Sequence, residues 1–429
     1  MIKNQTISAI INDSTWTETS TAGRVLSHKK MGSVCFGFIS DATGKIQYCI
    51  KRDSFPGDYK EACNSVTRGQ HIAINGTRFV TAAGELTINV VSVKVVQPSC
   101  SGLGDKHNGI RDIETIYRAR YKETAIDSDA AKVFLTRSEI IKNLRIYLWS
   151  KGFVEVETPI LTPVASGAMA KPFVTHHNDL DKDFYLRIAP ETALKAMTAG
   201  GFDKIFECSK SFRNEGSDRS HIQEFTSLEL YNCYADYQDN KVLFLDMMRY
   251  LLMSLGHSSQ KITYDNIELD FSNIPTVLYR DLFAQHGLPS PDTMVPSYAD
   301  EVFKKVIRPT IIQPTIIEDY PARMSPMAKR RNDDETTCEQ WQLVICGWEI
   351  VKCYSEIVSE SVQRQLLEDQ MSQRAGGDEE TMMLDESFLD ALSFGAPPQS
   401  GIGIGICRLV AILTNQISLR DVTYFPLMR

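Results

Sequence analysis

Short runs in which apolar and polar residues alternate fill the chain from about residue 20 to residue 97. Runs of this kind, separated by turn sequences, are typical of β-strands with one buried face. The predicted strands are Cys35–Ser40, Lys45–Lys51, His71–Phe79 and Leu86–Val96, with turns at 41–44 and 82–84. Short strands at this spacing predict a small antiparallel barrel.

A helical period follows a polar stretch. Residues 98–108 are rich in Ser, Gly and Lys, which predicts a linker. In 127–149 apolar residues recur at steps of three and four, and Gly152 comes next as a stop signal. The segment 154–157 then alternates like a strand. These changes of pattern predict a helix that leads into a second sheet.

The same changes predict two domains. We expect a barrel domain at 1–100, a linker at 101–126 and a larger domain at 127–429. The stretch from about 238 to 321 is richer in helical pattern and carries no chemical motif, so a helical insertion is predicted there. Residues 374–380 are polar and glycine-containing, which predicts an exposed loop.

Composition narrows the class of protein. The chain has 429 residues, is 43% hydrophobic and has a formal net charge of -8, which fits a globular protein and argues against indiscriminate binding to polyanions. No run approaches the roughly 18 apolar residues that a membrane helix needs, so no membrane association is expected. The first residues lack the apolar core of a signal peptide, which predicts a cytoplasmic protein. Ten cysteines without a CxxC pair predict reduced, mostly buried thiols.

A glycine-rich strand is the most informative chemical feature. Gly401, Gly403 and Gly405 alternate with isoleucines and are followed by Arg408. In a strand the glycines share one face, which leaves bare backbone for a flat ligand, while the isoleucines face the core. Arg408 is then placed to hold a phosphate. A glycine-weakened strand in close contact with a helix is the alternative.

A second segment carries complementary residue types. Arg213 and Glu215 precede a short loop, and Arg219, His221 and Phe225 follow on the way into the next apolar run. An arginine binds phosphate through two hydrogen bonds, and an aromatic ring opposite a glycine strand can sandwich a purine. These parts suit ATP, although no GxxxxGK[ST] motif is present. A salt-bridged surface hairpin is the alternative.

Four glutamates lie among apolar or small residues, where an unpaired carboxylate is costly. They are Glu191, Glu229, Glu349 and Glu356. They suit a cationic substrate or a magnesium ion, and buried structural ion pairs are the alternative for each of them.

With these residues in view, the sequence resembles the lysyl branch of the class II aminoacyl-tRNA synthetases. The resemblance runs over nearly the whole chain, and its motifs are Gly167-Ala168, 172–178, 185–191, 212–216, 224–226, 228–231, 234–237, 354–356 and 420–429. It implies an α+β fold: an N-terminal OB-fold β-barrel that reads the anticodon, and a catalytic domain built on an antiparallel β-sheet flanked by helices. It also implies a homodimer, whose interface includes 138–159.

The resemblance implies the following roles, position by position. ATP would be bound by Arg213, Glu215, Arg219, His221, Phe225, Glu349 and Arg408, with Arg213, Glu215 and Arg408 central to catalysis. The amino acid would contact Gly167, Glu191, Arg213, Glu229, Tyr231, Lys352 and Glu356. Magnesium would be held by Glu349 and, more weakly, by Gln342. The anticodon would meet Lys29, Phe36, Gln47 and Glu85, with burial of Phe36 in the barrel core as its alternative.

Three departures from the lysyl pattern bear on the site. Gln342 stands where the pattern has a magnesium-binding glutamate, Lys352 where it has an asparagine, and Cys407 where it has an aspartate. We expect Gln342 to weaken metal binding, Lys352 to bring a cation that can pair with Glu356, and Cys407 to deprive Arg408 of a partner.

Three hypotheses follow from the matches and departures. The first is ATP-dependent activation of lysine and its transfer to tRNA(Lys). The second is a diverged relative that activates another amino acid. The third is a catalytically weakened tRNA-binding or regulatory protein.

Overall fold

The computed structural model describes residues 4–13, 15, 17–99, 103, 112–325, 327–375 and 382–428. The chain forms two compact units, Met1–Lys132 and Val133–Arg429. Most of the predicted linker segment 98–108 and the greater part of the predicted loop 374–380 lie outside the described residues.

The first unit contains a closed five-stranded barrel. Its strands are β1 (Glu18–Met31), β2 (Val34–Asp41), β3 (Gly44–Lys51), β4 (His71–Val80) and β5 (Leu86–Gln97). They pair in the order β1-β2-β3-β5-β4, and β3 with β5 is the parallel pair. The helices of this unit are α1 (Ile7–Asn12), α2 (Tyr59–Ser65), α3 (Ile113–Arg118) and α4 (Arg120–Thr124). The predicted barrel is confirmed.

One prediction for this unit is wrong. Cys35 on β2 and Cys63 on α2 form a disulfide, although the sequence predicted reduced thiols throughout. Their Cα atoms are 6.4 Å apart, since α2 packs over the end of the barrel. The other described cysteines are free. Sequence spacing did not indicate the pair because 28 residues separate the two positions.

The second unit is built on a large sheet. The remaining strands are β6 (Val154–Glu155), β7 (Leu161–Thr162), β8 (Phe173–His177), β9 (Lys182–Leu186), β10 (Lys204–Phe212), β11 (Glu224–Cys233), β12 (Lys261–Tyr264), β13 (Ile267–Asp270), β14 (Thr276–Leu278), β15 (Thr315–Glu318), β16 (Gln340–Ile345), β17 (Trp348–Ser355) and β18 (Gln399–Gly405). Eight of them form a sheet in the order β14-β15-β16-β17-β18-β11-β10-β6. Its six central strands are antiparallel, as expected, and the pair at each edge is parallel.

Helices pack on both faces of this sheet. Those from the domain start onward are α5 (Ser128–Ser150), α6 (Glu191–Ala199), α7 (Tyr237–Ser254), α8 (Tyr279–Gln285), α9 (Pro296–Val302), α10 (Glu360–Ala375), α11 (Glu386–Gly395) and α12 (Ile406–Leu413). α5, α7 and α12 share one apolar core with the back of the sheet, in which Leu228, Ile402 and Ile404 are buried. The isoleucines of the glycine-rich strand therefore face the core, and its glycines lie on the opposite face. α6 lies against Ile205 and Tyr231 on the face that bears the glycines.

The segment predicted as a helical insertion is only partly helical. It holds most of α7 with α8 and α9, but it also contributes β14 and β15 to the edge of the main sheet. Both strands are short, with three and four residues, so their alternation is too brief to be distinguished from a helical period.

Candidate active site

The open face of the sheet is organised in rows by the glycines of β18. Gly405 lies opposite Ser227, Gly403 lies between Glu229 and Lys352, and Gly401 lies between Tyr231 and Tyr354. Residues at alternate positions share a face, so these polar side chains stand on the same side as the glycines. The lack of side chains at Gly403 and Gly405 therefore leaves room for a cleft with polar walls, which Tyr231 and Glu356 close at Gly401.

One end of the cleft carries arginines and an aromatic ring. Arg213 follows β10, and its guanidinium lies 5.1 Å from the centre of the Phe225 ring. The buried Nε of Arg213 has no hydrogen-bond partner among the described residues. Arg408 lies in the first turn of α12 and donates to the carbonyl oxygen of Glu349 at 2.8 Å. Burial lowers the pKa of the Arg408 guanidinium, Glu349 opposes this shift, and the neighbouring Arg308 and Arg213 add to it. Arg213, Arg308 and Arg408 together make this end cationic.

The loop between β10 and β11 forms the rim of this end. Arg219 and His221 are exposed, and Glu215 is half-buried. The His221 Nδ1 is 2.9 Å from a carboxylate oxygen of Asp218. The predicted hairpin is present, with Phe212 opposite Glu224, and it holds Arg219 and His221 at the protein surface.

The other end of the cleft is acidic. Glu191 begins α6, is buried, and accepts a hydrogen bond from the Tyr354 hydroxyl at 2.9 Å. Gly167 lies directly beside it with a φ of 87°, and a Cβ there would come within 3.2 Å of the Glu191 Cβ. A side chain at position 167 would therefore be strained and would press on Glu191.

A fully buried lysine, which the sequence analysis missed, organises the acidic end. The Nζ of Lys195 is 2.6 Å from Oε1 of Glu191 and also forms an ion pair with Glu356. Burial by itself would lower the pKa of Lys195, but the two carboxylates raise it above its usual value, so the side chain is charged. The spacing of four residues between Glu191 and Lys195 on a helix was the available signal.

Carboxylates still outnumber the paired cation at this end. Burial and the nearby Glu191 raise the pKa of Glu229 to about 8. Burial also raises the pKa of Glu356 to about 8, despite Lys195. Oε1 of Glu356 has no hydrogen-bond partner among the described residues. Three carboxylates that share one buried ammonium can accept a further cation.

Two expectations about the departures are wrong. Lys352 was expected to pair with Glu356, but Glu356 pairs with Lys195. The Lys352 ammonium lies 5.6 Å from the centre of the Tyr354 ring. Cys407 contacts Arg137, whose two terminal nitrogens are each 3.6 Å from the Cys407 Sγ. Cys407 and Arg408 are neighbours on a helix, so their side chains point in directions about 100° apart. Arg408 thus keeps its bond to the Glu349 carbonyl.

The two predicted metal ligands, Gln342 and Glu349, differ in what they can offer a metal ion. Oε1 of Gln342 accepts a hydrogen bond from the Tyr320 hydroxyl at 2.8 Å, and Glu349 is the acidic side chain left. Within the part of the chain that the structure describes, no three His, Cys, Asp or Glu side chains are grouped to hold a metal ion. Magnesium needs oxygen ligands, commonly one or two carboxylates together with phosphates. With one carboxylate and an amide that is already hydrogen-bonded, this donor set fits an ion that phosphates also hold, and it does not fit an ion held by the protein alone.

The predicted anticodon residues lie on or near the outside of the barrel. Phe36 is half-exposed and outside the apolar core, so the alternative of core burial is wrong. Lys29 is its partner on β1, Gln47 accepts from the Thr87 hydroxyl at 2.7 Å, and Glu85 is exposed. The sequence analysis did not single out two further aromatic residues of the barrel, Phe38 and Phe79. Lys45 lies over the Phe38 ring, and Lys51 lies over the Phe79 ring.

Comparisons with known proteins agree with this geometry. A family profile described as "tRNA synthetases class II (D, K and N)" matches residues 112–429, and one described as "OB-fold nucleic acid binding domain" matches residues 19–96. The chain is 39% identical to a lysine–tRNA ligase of Pelotomaculum thermopropionicum, over 95% of this chain and 85% of that protein. It is 39% identical to one of Aquifex aeolicus, over 97% and 74%. It is 36% identical to one of Oceanobacillus iheyensis, over 97% and 89%.

Proposed function

We propose, from the premise that this chain belongs to the class II tRNA synthetases of the D, K and N group, that it activates lysine with ATP and transfers it to tRNA(Lys). The observation that carries the proposal is the cleft with two unlike ends. Arginines and an aromatic ring lie at one end, and three carboxylates lie at the other. The relatives are named lysine–tRNA ligases, which does not favour the other two hypotheses, activation of another amino acid or a non-catalytic role.

In this proposal the nucleotide lies at the cationic end. Phe225 stacks on the adenine, Arg408 supports the base from the other side, and Glu215 selects it. Arg213 holds the α-phosphate, while Arg219 and His221 meet the outer phosphates from the rim. The glycines of β18 allow close approach of the ligand to the backbone. The group transfer needs no protein nucleophile, because positioning and charge neutralisation lower its barrier.

The amino acid lies at the acidic end. Glu191 and Gly167 receive its α-ammonium group, and Arg213 meets its carboxylate. Glu229, Glu356 and Tyr231 receive the ε-ammonium group. An uncharged side chain would leave buried carboxylates unpaired, which gives strong discrimination in favour of lysine.

Magnesium enters this proposal with the nucleotide. ATP in the cell carries Mg²⁺ on its phosphates, and the ion supplies charge neutralisation there. Glu349, whose carbonyl oxygen accepts from Arg408, is the carboxylate that we assign to such an ion, since the side-chain oxygen of Gln342 is used by Tyr320.

The barrel binds the tRNA anticodon in this proposal. Phe36, with Phe38 and Phe79, offers rings on which unpaired bases stack, and Lys29 and Lys45 supply positive charge. Gln47 and Glu85 provide polar groups for reading bases. A protein with this role works in the cytoplasm, where tRNA is charged. None of the described helices is long and apolar enough to cross a membrane.

We also propose a homodimer with an interface that includes 138–159. Ile146, Trp149 and Val154 are apolar and exposed in this stretch. Exposed apolar side chains of this size, grouped within one short segment, are the observation that supports this proposal. Sedimentation at several protein concentrations measures the state directly.

Lysine-dependent exchange of ATP with pyrophosphate tests the activation step. We expect exchange with lysine and none with the other amino acids. Exchange with a different amino acid alone would refute lysine as the substrate, and no exchange with any would refute activation. The variant Phe36→Ala tests the transfer of lysine to tRNA. We expect its KM for tRNA to rise about 5- to 100-fold, the range expected for loss of one stacked base. Its rate of ATP–pyrophosphate exchange should be unchanged.

A further inference from the structure

Lys352 lies at the middle of the cleft. It belongs to the Gly403 row of the sheet, with Gln342 directly across on β16 and Gly403 directly across on β18. The row toward one end carries Gly405, beside which Arg408 lies. The row toward the other end carries Tyr354 and Tyr231. The middle row is thus where the cationic end and the acidic end of the cleft meet.

The Lys352 ammonium contacts an aromatic ring and forms no ion pair among the described residues. The ammonium lies over the face of the Tyr354 ring. Glu229 lies in the same row, beyond Gly403. A half-buried ammonium that faces an open cleft without a carboxylate is available to an anionic ligand.

The residues around Lys352 do not support a metal ion in this row. Gln342 is neutral, and its side-chain oxygen is used by Tyr320. A divalent cation beside Gln342 would also face the Lys352 ammonium on the neighbouring strand position, and like charges at such a separation repel strongly in a partly buried site. The positive charge in this row therefore comes from the Lys352 side chain and not from a metal ion.

We propose that the Lys352 ammonium takes the place of a protein-held metal ion at the reaction centre. This inference rests on the proposed function. The substrate carboxylate oxygen forms a bond to the α-phosphorus, the bond from that phosphorus to the bridging oxygen breaks, and pyrophosphate leaves with the electron pair. Lys352 lies where the carboxylate and the α-phosphate meet, and it neutralises the charge on the non-bridging oxygens. No proton transfer is required.

Counting metal ions tests the proposal without measuring activity. Electron paramagnetic resonance of free Mn²⁺ reports how many ions the protein binds in the presence of lysine and α,β-methylene-ATP. We expect the wild type to bind only the ions that the nucleotide brings. The double variant Gln342→Glu with Lys352→Asn, which restores an acidic ligand and removes the cation, should bind one more. Equal numbers in the two proteins would overturn the proposal.

Kinetics provide the second test. Lys352→Met should lower kcat for pyrophosphate exchange about 100- to 1000-fold, as for loss of one charge-stabilising donor. Lys352→Arg should recover part of the loss because it keeps the charge. Lys304→Met is the matched control, since Lys304 is an exposed lysine two residues beyond the end of α9 and pairs with Asp300, and this variant should behave as wild type. Equal kcat values for Lys352→Met and Lys304→Met would refute the role.

The two tests separate this inference from the proposed function. If the wild type shows no exchange with any amino acid, activation is refuted while the Mn²⁺ count still decides whether Lys352 replaces a metal ion. If exchange with lysine occurs and the counts are equal, the proposed function stands and the inference about Lys352 fails. Melting temperatures of all variants establish that each is folded.

Discussion

Gly401→Ala is the sharpest probe of the acidic end of the cleft. A Cβ at position 401 would lie 2.6 Å from Oε1 of Glu356 and 2.8 Å from Cε1 of Tyr231. Ordinary contact begins near 3.4 Å, so Glu356 must shift by roughly 0.8 Å. Both neighbours are almost fully buried and have little room to move. The methyl group therefore displaces a carboxylate that we assign to the ε-ammonium group of lysine.

The expected size of the effect follows from two terms. Overpacking costs about 1–3 kcal/mol, and the smaller conformational freedom of alanine in the unfolded chain returns about 0.4–1 kcal/mol. A misplaced hydrogen bond to a charged group costs about 1.5–3 kcal/mol of substrate binding. The KM for lysine should therefore rise about 10- to 100-fold, while the KM for ATP stays within about twofold.

Gly403→Ala is the matched control. It adds the same methyl group on the same strand, but the nearest atoms would be 3.9 and 4.0 Å away. Its melting temperature should equal or exceed that of the wild type, whereas Gly401→Ala should melt lower by about 2–4 °C for each kcal/mol lost. Pyrophosphate exchange at varied lysine gives the KM. A wild-type KM for lysine in Gly401→Ala would refute the assignment of Glu356 and the tight contact on which it depends.

Three further predictions address the charges of the second unit. Cys407→Asp should raise the melting temperature, since a carboxylate can replace the thiol against the Arg137 guanidinium for about 1.5–3 kcal/mol, and the gain should vanish in an Arg137→Met background. Lys195→Met should destabilise the protein by about 3–5 kcal/mol, measured by thermal melting, because two buried carboxylates lose their cation; an unchanged melting temperature would contradict the ion pairs. The pKa of Glu229, raised to about 8, means that this carboxyl is protonated below that pH and must lose its proton to bind an ammonium group. The KM for lysine should therefore fall from pH 6.5 through 8 and level off about one pH unit higher, and Glu229→Gln should weaken this dependence without removing it, since the pKa of Glu356 is also raised to about 8.

The architecture follows from local patterns in the sequence. The alternation in β2–β5 and the three- and four-residue steps of α5 each reflect one buried face, so a local rule finds them. The glycines of β18 were predicted to share a face for the same reason. Short edge strands such as β14 depend on pairing with β15, which is distant in the chain, and local alternation does not show them.

The contacts within the site were harder to predict because they depend on direction in space. Lys195 is one helical turn from Glu191, but its second partner, Glu356, is far away in the sequence. The neighbours of Cys407 follow from the direction of its side chain on α12, which faces Arg137. The role of Gln342 depends on the Tyr320 hydroxyl that reaches it. Sequence identifies which residue types are present, and the packing decides which of them meet.

Lys195 keeps one positive charge in the acidic end of the cleft whether or not a substrate is bound. When a product dissociates, the ammonium group of Lys195 on α6 remains between Glu191 and Glu356. The two buried carboxylates are therefore not left unpaired. The carboxylates consequently keep their positions in the empty pocket, and we expect little movement of these side chains between one turnover and the next.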